Sequence, residues 1–230
     1  MVISPLEQVI SFLSPDQCLI CYQDASMLCD DCSAQIFRNN ESRCYLCNMM
    51  TSQNQICPSC RSGSRLRRVW WLGLYKDDLK KCIIDMKFKR KRSYARRMGR
   101  LLAETLPYLH EDSIVIPAPT ASARIRQRSF DQAVLIAQSL ASARGIRLLD
   151  NALVRQVQSD QIGKHRLERI KQMKNCFRLR SPELIRGKNI LLVDDVITTG
   201  ATLESAASTL RYYGAKHVDA VVVGRHIYKN

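Results

Sequence analysis

Residues 189–202 read NILLVDDVITTGAT, and this stretch decides the fold of the chain. Its residues 190–193 form a continuous apolar run, which is typical of a strand buried on both faces of a parallel sheet. Two acids, Asp194 and Asp195, follow the run, and residues 203–213 form an Ala- and Ser-rich segment that predicts a helix. We therefore expect a strand, a loop and a helix in succession, as in an α/β fold.

The loop after the two acids has the chemistry of a phosphate-binding site. Gly200 lets the backbone approach an anion, the neighbouring threonine hydroxyls donate hydrogen bonds, and the start of the helix adds the positive end of its dipole. Two carboxylates facing a phosphate would repel it, so Asp194 and Asp195 must hold something else, such as sugar hydroxyls or Mg²⁺. A phosphorylated sugar satisfies both requirements.

Further apolar runs extend this unit into a sheet. Gly214 is expected to end the helix, and residues 218–223 predict another buried strand. Residues 69–75, VWWLGLY, are β-branched and aromatic and predict a strand as well. Residues 114–119, IVIPAP, predict a short strand that ends in a proline-rich turn.

Eight of the ten cysteines form four Cys-x-x-Cys pairs. They are Cys18/Cys21, Cys29/Cys32, Cys44/Cys47 and Cys57/Cys60. Each pair directs two thiolates to one point and a second pair completes a tetrahedron around Zn²⁺, so we expect two structural zinc sites. Sequential pairing and crossed pairing of the four motifs both remain open. We do not expect a disulfide framework, because the amino-terminal residues do not resemble a secretory signal. A redox site would require one pair within a thioredoxin-like unit and not four pairs in tandem. Cys82 and Cys176 stand alone and predict small buried side chains.

Composition and charge limit the classes of protein to consider. A chain of 230 residues with 46% hydrophobic side chains can form one core-forming domain plus a small appendage, which excludes disorder and coiled coil. No apolar run reaches the length of a membrane-spanning helix. The net charge of +15 indicates a polyanionic partner. Residues 1–60 hold two basic and six acidic residues, whereas residues 61–100 hold fifteen basic and three acidic ones.

This basic segment, residues 61–100, predicts a nucleic-acid contact. A helix face formed by Leu79, Cys82, Ile83 and Met86 leads into its densest part. A solvated helix end is the alternative interpretation. Because aromatic rings accompany the cations, we favour single-stranded nucleic acid, whose bases stack on such rings. The candidate residues are Lys87, Phe88, Lys89, Arg90, Lys91, Arg92, Arg96 and Arg97.

The stretch 189–202 resembles the phosphoribosyl pyrophosphate signature of type I phosphoribosyltransferases. In that family, two acids hold the ribose hydroxyls and the following loop holds the 5′-phosphate. The resemblance implies that Asp194 and Asp195 hold the ribose hydroxyls and are the catalytic residues. It assigns the phosphate loop to Thr198, Thr199, Gly200, Ala201 and Thr202. It also implies a parallel sheet flanked by helices, with a hood over the site.

Other segments resemble the ComF competence family and its GntX-like relatives. Residues 114–119 and the segment Ser129-Phe130-Asp131-Gln132-Ala133 are similar to a family motif in which Gly and Asn replace Ser129 and Asp131. We expect the Asp131 side chain to cap the following helix. In this family, one stretch of the chain forms the hood over the site. The residues that match this stretch are Arg155, Gln161, Arg166, Arg169 and Phe177. Arg126 and Arg128 are the arginines expected at the pyrophosphate.

These resemblances imply a protein of natural transformation that binds incoming single-stranded DNA and also binds phosphoribosyl pyrophosphate with Mg²⁺. We expect a zinc-binding head at residues 1–62, which could dock on DNA-uptake proteins, and a phosphoribosyltransferase-like domain at residues 63–230. We expect it in the cytoplasm, including the surface of the inner membrane. The alternatives are an active phosphoribosyltransferase of nucleotide metabolism and a regulator that senses the ligand.

Overall fold

The parallel sheet predicted from residues 189–202 forms the centre of the molecule, which we describe from a computed structural model. The structure describes residues 17–18, 20–23, 28–37, 41–88, 92–120, 125–126, 130–155 and 177–227. The predicted hood lies largely outside the described residues, as do Cys176, Arg128 and Lys89 to Lys91 of the basic segment. No helix within the described ranges is long and apolar enough to cross a membrane.

The described residues form six α-helices and seven strands. The helices are α1 (Asp30–Phe37), α2 (Pro58–Arg61), α3 (Asp77–Phe88), α4 (Arg92–Thr105), α5 (Gln132–Arg144) and α6 (Ala201–Tyr212). The strands are β1 (Val69–Leu74), β2 (Ser113–Pro117), β3 (Arg147–Leu148), β4 (Leu153–Arg155), β5 (Phe177–Leu179), β6 (Asn189–Ile197) and β7 (His217–Arg225). Each strand and helix predicted from the sequence within these ranges is confirmed, with shifts of a few residues at the ends.

Five strands form one sheet in the order β1-β7-β6-β2-β3. Every neighbouring pair in this sheet is parallel. β6 lies in the middle, where Val193 is opposite Pro117 of β2 and Val221 of β7. Because parallel strands end at the same edge, the carboxyl end of β6 opens into a crevice where α/β proteins bind ligands. β4 and β5 form a separate antiparallel pair at the two ends of the predicted hood.

The sheet is buried on both faces, which explains the continuous apolar run in β6. Leu191 and Val193 pack in a core with side chains of α3, α4 and α5. Ile190 and Leu192 pack in a second core with α6 on the opposite face. Alternate side chains of a strand point to opposite faces, so both sets must be apolar.

The cysteine-rich head lies against both faces of the sheet at its β1 edge. Cys18 and Cys32 belong to the core that contains Trp70, whereas Cys44 and Cys57 belong to the core that contains Trp71. The adjacent tryptophans of β1 point to opposite faces, and each therefore meets a different half of the head. The head and the body share their hydrophobic cores, and the division at residue 62 stays a prediction.

Two local predictions are confirmed. The Asp131 side chain caps α5, because its Oδ1 accepts a hydrogen bond from the Ala133 N–H at 3.0 Å. Cys82, a residue of α3, is fully buried on the side of this helix that faces the core.

Candidate functional site

The two acids predicted to bind a sugar lie side by side at the carboxyl end of β6. Both side chains are partly buried. The Asp195 backbone N–H donates to Asp194 Oδ1 at 2.8 Å, which holds the Asp194 carboxyl at the mouth of the crevice. Asp131 lies near them at the start of α5, and its Oδ1 also accepts from the Thr120 hydroxyl at 3.0 Å. Three carboxyl groups thus converge on one edge of the sheet.

Lys87 completes this group of charges. Its Nζ lies 2.8 Å from Asp195 Oδ2, and the side chains of Lys87 and Asp195 are 16% and 17% exposed. The sequence pattern predicts a nucleic-acid contact for Lys87 and does not predict this ion pair. A signal was present, because Lys87 lies four residues after the buried Ile83 and so continues the apolar face of α3.

The environment of Asp194 favours its protonated form. Burial, followed by the neighbouring Asp195 charge, raises the pKa of Asp194 to about 8. Burial also raises the pKa of Asp131. The acid pair therefore carries less negative charge than two free aspartates would.

The phosphate loop, residues 198–202, connects β6 to α6 in the arrangement expected for anion binding. Gly200 has a φ of 78°, a left-handed conformation that glycine adopts without strain. The Ala201 N–H faces Thr199 Oγ1 at 3.4 Å, and the Glu204 N–H donates to the Gly200 carbonyl at 2.8 Å. A cavity of about 40 Å³ is lined by Asp194 and residues 196–203. The start of α6 offers backbone N–H groups and a positive dipole end to an anion there.

The cysteines form two groups of four, and their pairing is sequential. The first cluster contains Cys18, Cys21, Cys29 and Cys32, and the second contains Cys44, Cys47, Cys57 and Cys60. The ligand atoms of each cluster lie within 4.8 Å of one another, which fits the sulfur positions of a tetrahedral metal site. The described cysteines are all free of disulfides. Each cluster can hold a metal ion.

The thiols within each cluster differ in their pKa values. Burial opposes the thiolate, yet backbone hydrogen bonds lower the pKa of Cys18 to about 6 and the pKa of Cys44 to about 7. In the same clusters, burial raises the pKa of Cys32, and the hydrogen bond with Cys57 raises the pKa of Cys60. Because a metal ion requires deprotonated sulfur, its binding would release protons from these thiols.

Four of the other predicted nucleic-acid residues lie in the described part of the chain, and two of them contact other parts of the protein. Arg97 pairs with the head, donating to Asp30 Oδ1 at 2.7 Å, and Arg92 lies over the Phe130 ring at 5.8 Å. Phe88 is 62% exposed and Arg96 is partly buried. The predicted pyrophosphate residue Arg126 is exposed.

We expect Asp194→Asn to stabilise the protein at alkaline pH. The folded-state pKa is raised above the ordinary value, so the protonated form stabilises the fold, and this contribution is lost as pH rises from about 4 to 8. Asparagine cannot ionise, so the variant should match the wild type near pH 4 and exceed its free energy of unfolding by several kcal/mol at pH 8.5. Urea unfolding across this range measures the difference.

Asp150→Asn serves as the control for that measurement, because Asp150 is exposed and its replacement should leave the pH dependence unchanged. A difference between Asp194→Asn and wild type that stays constant from pH 4 to 8.5 would contradict the assigned environment of Asp194.

The chain was compared with protein families and with solved structures. The model of the phosphoribosyl transferase domain matches residues 130–229, which include the acid pair and the phosphate loop. A structure described as the allosteric regulatory enzyme of purine biosynthesis is 21% identical, with a TM-score of 0.43. The match covers 56% of this chain and 25% of that enzyme.

Curated relatives match over most of the chain. The competence protein ComFC of Bacillus subtilis is 27% identical, covering 80% of this chain and 77% of that protein. The DNA utilization protein YhgH of Salmonella typhimurium is 28% identical, with coverage of 89% and 94%. ComFC of Streptococcus pneumoniae is 29% identical, with coverage of 93% of each. The fold is that of a type I phosphoribosyltransferase joined to a cysteine-rich head, and over most of its length the chain is similar to the ComFC and YhgH proteins.

Proposed function

We propose that this protein acts in natural transformation, where it binds incoming single-stranded DNA and carries a site for phosphoribosyl pyrophosphate with Mg²⁺. The observation that carries the proposal is the junction of the acid pair, the phosphate loop and Lys87 at one edge of the sheet. The names of the ComFC and YhgH relatives, which refer to competence and DNA utilization, support the cellular role.

The charges and hydrogen-bonding groups of the site are complementary to those of phosphoribosyl pyrophosphate. The amino end of α6 and the hydroxyls of the phosphate loop would hold the 5′-phosphate, because N–H and O–H groups converge there. Asp194 and Asp195 would accept hydrogen bonds from the two ribose hydroxyls. Lys87 neutralises Asp195 and would face the pyrophosphate, for which Mg²⁺ supplies the remaining positive charge. The chain's own contribution is to orient the ribose and to balance charge.

The position of the basic segment next to the acid pair supports the proposed DNA contact. Lys87 is anchored at Asp195, and the exposed ring of Phe88 follows it directly. Residues 89–92 contribute four more positive charges to this part of the chain. A single strand bound along the segment would therefore pass close to the acid pair, with phosphates on the cations and a base on the ring.

The metal in both cysteine clusters is proposed to be zinc, because four thiolates without an open ligand position are typical of structural zinc. Residues 1–60 are otherwise acidic, which favours a protein of the DNA-uptake machinery over DNA as the partner of the head.

Calorimetry with Mg²⁺ and phosphoribosyl pyrophosphate tests the ligand site. We expect wild-type protein to bind and Asp195→Asn to bind at least about tenfold more weakly, since hydrogen bonds to a charged group contribute about 1.5 to 3 kcal/mol. Lys87→Met should also weaken binding by removing the charge that balances the ligand. Asp150→Asn is the control. No heat with wild-type protein would refute the site.

The salt dependence of binding to a single-stranded oligonucleotide tests the basic segment. Alanine at Lys89, Arg90, Lys91 and Arg92 should weaken binding and reduce the slope of log K against log salt by about 3, at about 0.7 per phosphate contact. The charge-matched control replaces four exposed residues elsewhere, namely Arg147, Arg178, Arg186 and Lys216. Equal effects of both variants would show that net charge alone, and no defined segment, attracts DNA.

Metal analysis of protein purified without chelator should find about two zinc ions per chain. Cys21→Ser and Cys47→Ser should each lower the content to about one, because each removes a ligand from one cluster. Protein that is folded and free of metal would contradict the zinc assignment.

A further inference from the structure

The second cysteine cluster lies directly beside the phosphate loop through Tyr45, the residue after its ligand Cys44. The Tyr45 side chain is buried in the core beneath α6. A Cβ atom placed on Gly200 would lie 2.7 Å from Tyr45 Cε2 and 2.9 Å from its hydroxyl oxygen. The tyrosine ring therefore packs against the glycine at the centre of the loop, and only glycine leaves room for it.

A hydrogen-bonded carboxylate connects the same tyrosine to the start of α6. The Tyr45 hydroxyl donates to Glu204 Oε1 at 2.7 Å. Glu204 also accepts from the Ser64 hydroxyl and, at 2.7 Å, from the Arg65 N–H. Burial, followed by the Glu204 hydrogen bond, raises the pKa of Tyr45, so its hydroxyl keeps the proton that it donates. Glu204 belongs to the first turn of α6, directly after the phosphate loop.

Arg225 holds the backbone of the second cluster from the end of β7. Its guanidinium donates to the Cys44 and Tyr45 carbonyls at 3.2 and 3.0 Å. It also donates to Asn48 Oδ1 at 3.1 Å and lies 4.5 Å from the centre of the Trp71 ring. Arg225 is only 3% exposed, and it is opposite Ile197, the last residue of β6 before the loop. The same strand ends thus position the metal cluster and the phosphate loop.

A cleft of about 260 Å³ separates the two where they do not touch. Thr198 and Thr199 line one side, and residues 45–48 line the other. The segment between the ligands Cys44 and Cys47 therefore forms a wall of the space next to the phosphate loop.

The first cysteine cluster provides an internal comparison. It packs in the core on the opposite face of the sheet, with Trp70 and Leu72. Its polar connection to the body runs through Arg97, which donates to Asp30 and to the Leu28 carbonyl. Both clusters have the same ligand chemistry, but their neighbours differ.

We propose that the second cluster is a functional part of the phosphate-binding site, with Tyr45 as the positioning residue that makes the order of the phosphate loop depend on metal in this cluster. Metal would fix the segment between Cys44 and Cys47, and this segment would fix the tyrosine ring against Gly200. Without metal, the loop would lose this wall. The hydrogen bond from the Tyr45 hydroxyl to Glu204 would be lost as well. A ligand bound at the loop would then raise the affinity for metal in the second cluster. By thermodynamic linkage, the metal would raise the affinity for that ligand by the same factor.

Hydrogen exchange of the loop tests the inference without any ligand. Cys21→Ser and Cys47→Ser form a matched pair, because both residues are exposed and each is the second cysteine of its motif. We expect amide exchange in residues 198–204 to accelerate at least about tenfold in Cys47→Ser and to stay unchanged in Cys21→Ser. Equal rates in Cys47→Ser and wild type, with one metal lost, would overturn the proposal, as would equal acceleration in both variants.

Tyr45 variants keep the test informative if Cys47→Ser folds poorly. Tyr45→Ala should accelerate exchange in residues 198–204 while retaining both metals, and Tyr45→Phe should restore much of the protection because the ring remains against Gly200. Unchanged exchange in Tyr45→Ala would contradict the positioning role.

A second arm rests on the proposed function, since it uses phosphoribosyl pyrophosphate. In Cys21→Ser protein, where only the second cluster is complete, the ligand should slow metal transfer to a colorimetric chelator severalfold. Cys47→Ser should weaken ligand binding by the corresponding factor. If wild-type protein does not bind the ligand, the proposed function fails, and hydrogen exchange still decides the inference. Unaltered metal release in protein that binds the ligand would overturn it.

Discussion

Two adjacent carboxyl groups at the carboxyl end of a buried parallel strand are the constraint on which the rest of the structure depends. Like charges so close together destabilise each other, and burial adds to the cost. The protein offsets this in two ways, since Asp194 has a raised pKa and Asp195 pairs with Lys87 at 2.8 Å. The position of α3 against the sheet is therefore tied to the acid pair, and the unfavourable charge is retained where a ligand with hydroxyl groups can use it.

The parts of the fold that depend on local pattern were predictable, whereas the contacts between distant segments were not. The apolar run of β6, the loop with Gly200 and the Asp131 cap each follow from neighbouring residues. Sequential pairing of the cysteines could not be separated from crossed pairing, because spacing within a motif says nothing about which motifs meet. The contact of Lys87 with Asp195 joins residues that are far apart in sequence, and charge alone suggested a solvent-exposed role.

The head is built into the body on both faces of the sheet, with the neighbouring Trp70 and Trp71 as its contact points. This arrangement gives the two cysteine clusters different surroundings despite their similar motifs. The first meets α4 through Arg97, while the second meets the phosphate loop through Tyr45. In our proposal, a metal site that is structural in its ligand set thereby also forms part of the proposed binding site for a small anion.

We propose that one phosphorylated ribose binds at the end of β6. A crystal structure of the protein with Mg²⁺ and phosphoribosyl pyrophosphate tests it most directly. We expect the 5′-phosphate on the N–H groups of residues 198–202 and the ribose hydroxyls on Asp194 and Asp195. Ligand bound elsewhere, for example on the basic segment with the acid pair and Lys87 unaltered, would contradict it.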